Sequence, residues 1–431
     1  MKPQFIIDKP LSMNDEEISI SLEGLPSERL ITIKAESSDY YGINALPDVN
    51  VGSLWTSRCT FKTSVCGKIN LKTDAALFGS YNGTNGMGLL YSMKPSNIVT
   101  EKKASNLSDI PVYKSYNIRL SAYNENELLC DISIERAYQN NSIVYQDVFG
   151  KHSVSRFFRK NKRKNQPAII VLSGSDGRIE KAQSIAQLLA SHGFAALAVC
   201  YFGLKGTAAS LSKIPLEIIE ESIAFLKQQD SVNAQKIAIY GRSKGGELAL
   251  LAGSMFSDIN CVAANTPSSF VFEGLNEKSR NSKSSTWSYN ECDLPYIPFS
   301  IMPFLPYVIK KILFKKSDLS SVYLKLLNQS TAKSARIAVE NIKGPVLLIS
   351  SENDEIWPST LLCNKAMEQL KQHNFSYNYE HKNYQNSGHH LTIAYQPNPR
   401  YSQKNCLDQL KDGIDSWERT LTFLNNWNNC F

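Results

Sequence analysis

Between about Ile18 and Gln146 the chain alternates apolar and polar residues in short runs. RLITIKAES, WTSRCTFKT, SYNIRLSAYN and CDISIERAY each send every second side chain to one face, as strands with one wet side do. Turn chemistry such as SYNGTNGMG separates the runs, and helical periodicity is nearly absent. The spacing predicts an antiparallel β-sandwich of immunoglobulin-like type over residues 1–150.

At Pro167 the period changes. PAIIVLSG, FAALAVCYF and KIAIYG are continuous apolar strands, and they alternate with the helical patterns RIEKAQSIAQLLASHG, PLEIIEESIAFLKQQ and GGELALLAG. Strands buried on both faces and separated by helices predict a parallel sheet covered on each side, an α/β domain over 151–431. After Thr266 the alternation stops for about 75 residues and resumes at GPVLLISS. This cap-like insertion, about 267–340, contains LPYIPFSIMPFLPYVIKKILFKK, with four prolines. Such a segment is either ordinary packed core or a cap shaping an apolar pocket.

Length and composition add boundaries. At 431 residues, 42% hydrophobic and 20% charged, the chain is an ordinary globular protein of two or three domains. No run has secretory or membrane-spanning length, so a cytoplasmic protein without an integral membrane segment is expected. Nine cysteines without a CxxC pair argue against structural zinc and against a disulfide framework; neither metal nor cofactor is expected. A net charge of +7 is modest for this size, which leaves nucleic acid out as a partner. RFFRKNKRKN, from Arg156 to Asn165, concentrates that charge. It reads as a solvated hairpin or, alternatively, as a patch for the phosphates of an anionic substrate. A monomer or small homo-oligomer is expected.

The chemistry begins at Gly241-Arg242-Ser243-Lys244-Gly245, a G-x-S-x-G between a predicted strand and a predicted helix. That context is what a nucleophile elbow requires: a turn too tight for β-carbons at the glycines, presenting a serine hydroxyl above a helix N-terminus. A serine needs a base, and the base an acid, in the chain order Ser, Asp or Glu, His. GPVLLISSENDEIWP supplies Asp354, with Glu352 and Glu355 as neighbours able to replace it. Of six histidines, His152 and His192 precede the serine, and His373 and His381 fall in a predicted helix and the strand after it. NSGHHLTIAY, 35 residues beyond Asp354, offers His389, with His390 as competitor. The oxyanion hole needs the backbone N–H of Lys244 and a second donor from SGSDG, Ser175 or Asp176. The side chains of Arg242 and Lys244 are expected to be exposed, solvated cations.

ASHGFAALAVCYFGL, IYGRSKGGELAL, ENIKGPVLLISSENDEIWPS, the SGHH loop and, in the first domain, DAALFGSYNGTNGMGLLYSMKP together resemble the acyl-CoA thioesterases and bile acid-CoA:amino acid N-acyltransferases, over roughly residues 16 to 425. The resemblance implies a β-sandwich joined to an α/β-hydrolase domain, a triad on Ser243, Asp354 and His389, and acyl-CoA thioesters as substrates. In that family the thioesterases carry serine at the elbow and the conjugating enzymes cysteine; Ser243 implies the hydrolytic branch. LSGSDGRIE is more polar than the family's usual loop, and the tail NNWNNCF has no peroxisomal signal of the serine-lysine-leucine type. Two other readings stand beside hydrolysis: an acyltransferase or an esterase on non-CoA esters, and a scaffold without catalysis.

Overall fold

The computed structural model describes residues 2–41, 51–99, 104–176, 179–275, 283–299, 318–391, 393–402 and 405–429. They form two compact units that are not continuous in sequence: 1–103 with 112–141 and 392–417, and 104–111 with 142–391 and 418–431.

In the first unit the alternating runs become antiparallel strands. Leu30–Ser37 pairs on one side with Leu54–Lys62 and on the other with Ser115–Asn124, which pairs in turn with Glu127–Ala137. The period of two does its work in Leu30–Ser37, where Ile31, Ile33 and Ala35 are buried and Thr32 and Lys34 are not. A second, three-stranded antiparallel sheet of Gln4–Ile7, Ile20–Glu23 and Ile69–Asn70 contributes Ile20, Leu22 and Ile69 to the same core. Two antiparallel sheets closed on one core make a sandwich, with one departure: Leu11–Met13 joins Glu127–Ala137 in parallel. Residues far along the chain complete that core, since Tyr401, Cys406 and Leu410 pack in it.

The second unit is built on an eight-stranded sheet: β1 (Ile143–Phe149), β2 (Val154–Lys160), β3 (Gln166–Leu172), β4 (Ala195–Cys200), β5 (Val232–Arg242), β6 (Ile259–Asn265), β7 (Val346–Ser351) and β8 (Tyr379–Tyr384). Their order is β1-β2-β4-β3-β5-β6-β7-β8, and β2 runs against both of its neighbours while the others are parallel. Helices α1 (Ile179–Ser191), α2 (Glu217–Lys227), α3 (Lys244–Met255) and α4 (Ser359–Gln372) make the crossovers. Every residue of β3 and β4 is buried, which explains why these strands read as unbroken apolar runs. Each fully buried Ile, Leu or Val here contributes about 1.5–3 kcal/mol. The order and the one reversed strand are those of the α/β-hydrolase fold. From β3 the chain crosses to β4 on one side, and from β5 to β6 on the other, so the loops leaving these neighbouring strands diverge and open a crevice at their carboxyl ends.

Two sequence expectations meet the fold here. Most of LPYIPFSIMPFLPYVIKKILFKK, and residues 276–282, lie outside the described residues; of the insertion the structure describes the strand Trp287–Tyr289 and the short helix Ser320–Leu326. The basic run splits in two. Arg156 is a buried structural cation on β2, donating to Asp147 Oδ1 (2.9 Å), Gln183 Oε1 (2.6 Å) and the carbonyl of Leu107 (2.9 Å). Lys160 to Asn165 form an exposed turn leading into the amino end of β3.

Candidate active site

Strand β5 ends at Arg242 and helix α3 begins at Lys244, so Ser243 alone makes the turn between them. Its backbone sits at φ 53°, ψ −121°, a conformation that L-residues rarely adopt and that costs of order 1–3 kcal/mol. Its N–H donates to the carbonyl of Asn265 (2.9 Å), and its carbonyl accepts the N–H of Glu247 (3.0 Å). The flanking glycines are steric necessities: a β-carbon on Gly241 would run into the carbonyl of Gly245, and one on Gly245 into the carbonyl of Ser173. Gly245→Ala is expected to lose at least the upper end of the ~1–3 kcal/mol typical of overpacking, read as a lower denaturant midpoint. A midpoint equal to that of the unmodified protein would mean that the elbow has room for a β-carbon at 245.

The acid and base arrive on the loops after β7 and β8. His389 Nε2 lies 2.7 Å from Ser243 Oγ, and its Nδ1 lies 2.9 and 2.8 Å from the two carboxylate oxygens of Asp354. The side chains of His389 and Asp354 are 4% and 1% exposed, so water does not compete for these bonds. Asp354 Oδ1 also accepts the N–H groups of Ile356 (3.0 Å) and Trp357 (3.2 Å), which anchor the carboxylate. The carboxylate holds the proton of His389 on Nδ1 and leaves Nε2 to accept from the serine. Trp357 packs edge-on to the imidazole, with ring centroids 5.6 Å apart.

The sequence competitors take other parts. Glu355 accepts the backbone N–H of His389 at 3.1 Å, and a β-carbon on Gly388 would come within 2.6 Å of that carboxylate. Glu352 is exposed and accepts from Asn383 Nδ2 (2.8 Å). His390 stacks edge-on against His389, 5.4 Å away. His381 meets Ser350 Oγ at 2.7 Å, and burial pushes it below the usual imidazole range; His373 Nδ1 lies 2.8 Å from the carbonyl of Gln369.

On the other side of the serine, a β-carbon on Gly174 would lie 3.4 Å from Cβ of Ser243, so the loop after β3 reaches the elbow at this glycine. Tyr201 pins that loop by donating toward the carbonyls of Ser173 (2.9 Å) and Gly174 (2.7 Å). Ser175, the next residue, is exposed, whereas the carboxylate of Asp176 is paired with Lys181 of α1. The expectation of solvated cations at the mouth is corrected: Arg242 and Lys244 are 8% and 5% exposed. The ammonium of Lys244 donates to both oxygens of Glu247 (2.7 and 2.9 Å) between the rings of Phe272 and Trp287, and the Trp287 indole donates to Glu247 as well (2.8 Å). Burial pulls Lys244 below its ordinary range and pushes Glu247 above its own, and their mutual attraction opposes both shifts. Nothing in KGGEL distinguishes such a pair from a solvated i,i+3 one. The missing signal was Trp287, 40 residues beyond Glu247.

Fold and site together define an α/β-hydrolase with Ser, His and Asp in hydrogen-bonded line at the carboxyl ends of β5, β7 and β8. The chain belongs to the acyl-CoA thioesterase and bile acid-CoA:amino acid N-acyltransferase family. The model described as "BAAT / Acyl-CoA thioester hydrolase C terminal" matches residues 214–427, and "Acyl-CoA thioester hydrolase/BAAT N-terminal region" matches residues 15–149. Among relatives, mouse acyl-coenzyme A amino acid N-acyltransferase 1 is 25% identical, covering 89% of this chain and 85% of its own. Human acyl-coenzyme A thioesterase 6 is 24% identical, covering 95% and 93%. Among solved structures, the Pyrobaculum calidifontis esterase overlaps 66% of this chain and 85% of its own, at 14% identity and a TM-score of 0.41.

Among the described residues, no helix is long and apolar enough to cross a membrane, and no group of His, Cys, Asp and Glu is arranged to hold a metal ion.

Proposed function

We propose that this protein is an acyl-CoA thioesterase that hydrolyses acyl-CoA to a carboxylic acid and CoA through an acyl-serine intermediate. The observation that carries the reading is the unbroken line Ser243 Oγ, His389 Nε2, His389 Nδ1, Asp354, assembled in a buried site on a chain of this family. Ser243 Oγ attacks the thioester carbonyl as its proton passes to His389 Nε2. Negative charge moves to the carbonyl oxygen, toward the N–H of Lys244 at the start of α3 and the N–H of Ser175 or Asp176 from the loop that Tyr201 pins. The carbon–sulfur bond then breaks, and His389 returns its proton to the sulfur, which leaves as the free thiol of CoA. In the second half, water gives a proton to His389 and attacks the acyl-serine ester; the acid departs and Ser243 regains its proton. All eight described cysteines are free thiols, which fits a reducing compartment, and a cytoplasmic enzyme is the location we adopt.

A second reading keeps the acyl-serine and replaces water by an amine, because N-acyltransferases are among the relatives. CoA release from acyl-CoAs of increasing chain length, with and without glycine or taurine, separates the two. Free acid alone, released with a chain-length optimum, supports hydrolysis; N-acyl conjugates would move the protein to the acyltransferases; absence of CoA release would overturn both.

The basic turn stands apart from this chemistry. Lys160 to Asn165 lie at the amino end of β3, whereas Ser243 lies beyond the carboxyl end of β5 beside it. The sheet between them is about 20 Å deep, some two Debye lengths at physiological salt. Neutralising Arg159, Lys160 and Lys162 together is therefore expected to leave KM for acyl-CoA within about twofold. A rise confined to CoA esters and absent with short neutral thioesters would return the turn to the substrate-binding surface.

A further inference from the structure

From the place of Thr266 beside this site we infer that it is the positioning residue that holds the three reactive loops in register. This rests on the triad reading above. Thr266 follows β6 and is fully buried, and its N–H closes the ladder between β6 and β7 while its carbonyl and hydroxyl reach the loops beyond. Its N–H donates to the carbonyl of Ile349 in β7 (2.7 Å), the strand that leads to Asp354. Its carbonyl accepts the indole N–H of Trp357 (3.0 Å), whose backbone N–H in turn binds Asp354 and whose ring lies edge-on to His389. Its hydroxyl donates to the carbonyl of His389 (3.3 Å). The residue before it, Asn265, accepts the N–H of Ser243 (2.9 Å). The residue after it, Pro267, lies so close to the first turn of α3 that a β-carbon on Gly246 would be 3.1 Å from it. One corner of backbone thus touches the elbow, the acid loop and the base loop.

The conformation of that corner is informative. Thr266 has φ 44°, is β-branched and precedes proline. Each of the last two features makes a left-handed backbone harder to adopt. Strain of this kind persists only where the surroundings over-determine it, and it gathers at functional sites. In this conformation the carbonyl meets the indole of Trp357 while the hydroxyl reaches His389. The imidazole must meet Ser243 on one edge and Asp354 on the other. Its loop is tied near the ring as well by the bond from its N–H to Glu355 and by the Ser351 hydroxyl, which donates to the carbonyl of Ser387.

The test uses the full-length protein, palmitoyl-CoA hydrolysis followed as free thiol, and a fluorophosphonate probe for the reactivity of Ser243. Thr266→Val keeps the shape and removes only the hydroxyl; kcat is expected to fall by about tenfold with KM unchanged, and probe labelling to slow in parallel. Thr266→Ser restores the hydroxyl and is expected to recover most of kcat. Trp357→Phe, which keeps a ring against His389 and removes the indole N–H, is expected to lose several-fold in kcat and covers the case in which the valine variant does not fold. Thermal unfolding of each variant separates poor positioning from poor folding. Full kcat in Thr266→Val, full kcat in Trp357→Phe, or equal losses in Thr266→Val and Thr266→Ser would overturn the inference. A Ser243→Ala control that hydrolyses palmitoyl-CoA normally would instead remove the triad reading, and this inference with it.

Discussion

Ser243→Ala is expected to lower kcat for CoA release by roughly four orders of magnitude or more, about 5 kcal/mol of transition-state stabilisation, with little change in the melting temperature. The large activity term follows from the elbow: no other hydroxyl is held 2.7 Å from His389 Nε2 among the described residues, so without it the base has nothing to deprotonate but water. The small stability term follows from what the side chain does not do. Ser243 makes its helix-starting bonds through its backbone, and alanine can occupy the same turn at similar strain. Purified variant assayed beside the unmodified protein, with melting curves for both, checks the two halves at once. Residual CoA release within tenfold of the unmodified protein would show that the chemistry runs elsewhere.

Asp354→Asn should be nearly as damaging, about 10³- to 10⁴-fold in kcat, while leaving the geometry almost intact. The amide can still accept from Ile356 and Trp357 through its oxygen. Its NH₂ then faces His389 Nδ1 and donates to it, which drives the imidazole proton to Nε2, where it blocks acceptance from Ser243. The check is a rate profile against pH together with the fluorophosphonate reaction, which needs the same activated serine. Raising the pH should recover part of the loss, as hydroxide takes over from the missing base. Glu355→Gln offers the contrast: its carboxylate accepts the backbone N–H of His389, a bond the amide oxygen can keep, so its effect should be far smaller.

The chain order Ser, Asp, His makes the candidate site legible in the sequence. A strand, G-x-S-x-G and a helix can only be folded as an elbow when the glycines lack β-carbons, so Ser243 was readable from five letters and their flanks. Asp354 followed because it sits just past an apolar strand, and His389 because the chain order and the polar, glycine-containing loop NSGHH left it as the candidate after the acid. The choice between Asp354 and its two glutamate neighbours was open in sequence. In the fold the bend at 354–357 turns the Asp354 carboxylate inward to two backbone N–H groups and to His389, and leaves Glu352 in water. His389 and His390 are told apart by contact: the ring of His389 meets Ser243 and Asp354, and that of His390 packs edge-on against it.

What the sequence by itself determined was therefore whatever is written in local period and local sterics: the change from a two-residue to a 3.6-residue repeat near residue 150, the apolar runs of β3 and β4, and the elbow. Tertiary structure alone decided what depends on residues distant in the chain. Lys244 and Glu247 become a buried pair because Trp287 and Phe272 close over them. Arg156 leaves the basic run because Asp147, Gln183 and Leu107 converge on it. Residues 392–417 join the first unit because Tyr401 and Leu410 find their apolar partners there. Thr266 carries no motif, and its place at the junction of three loops comes from the sheet order that sets β6 between β5 and β7. Period reports which face of an element is apolar, whereas the partner that covers that face is set by the closing of the chain in three dimensions.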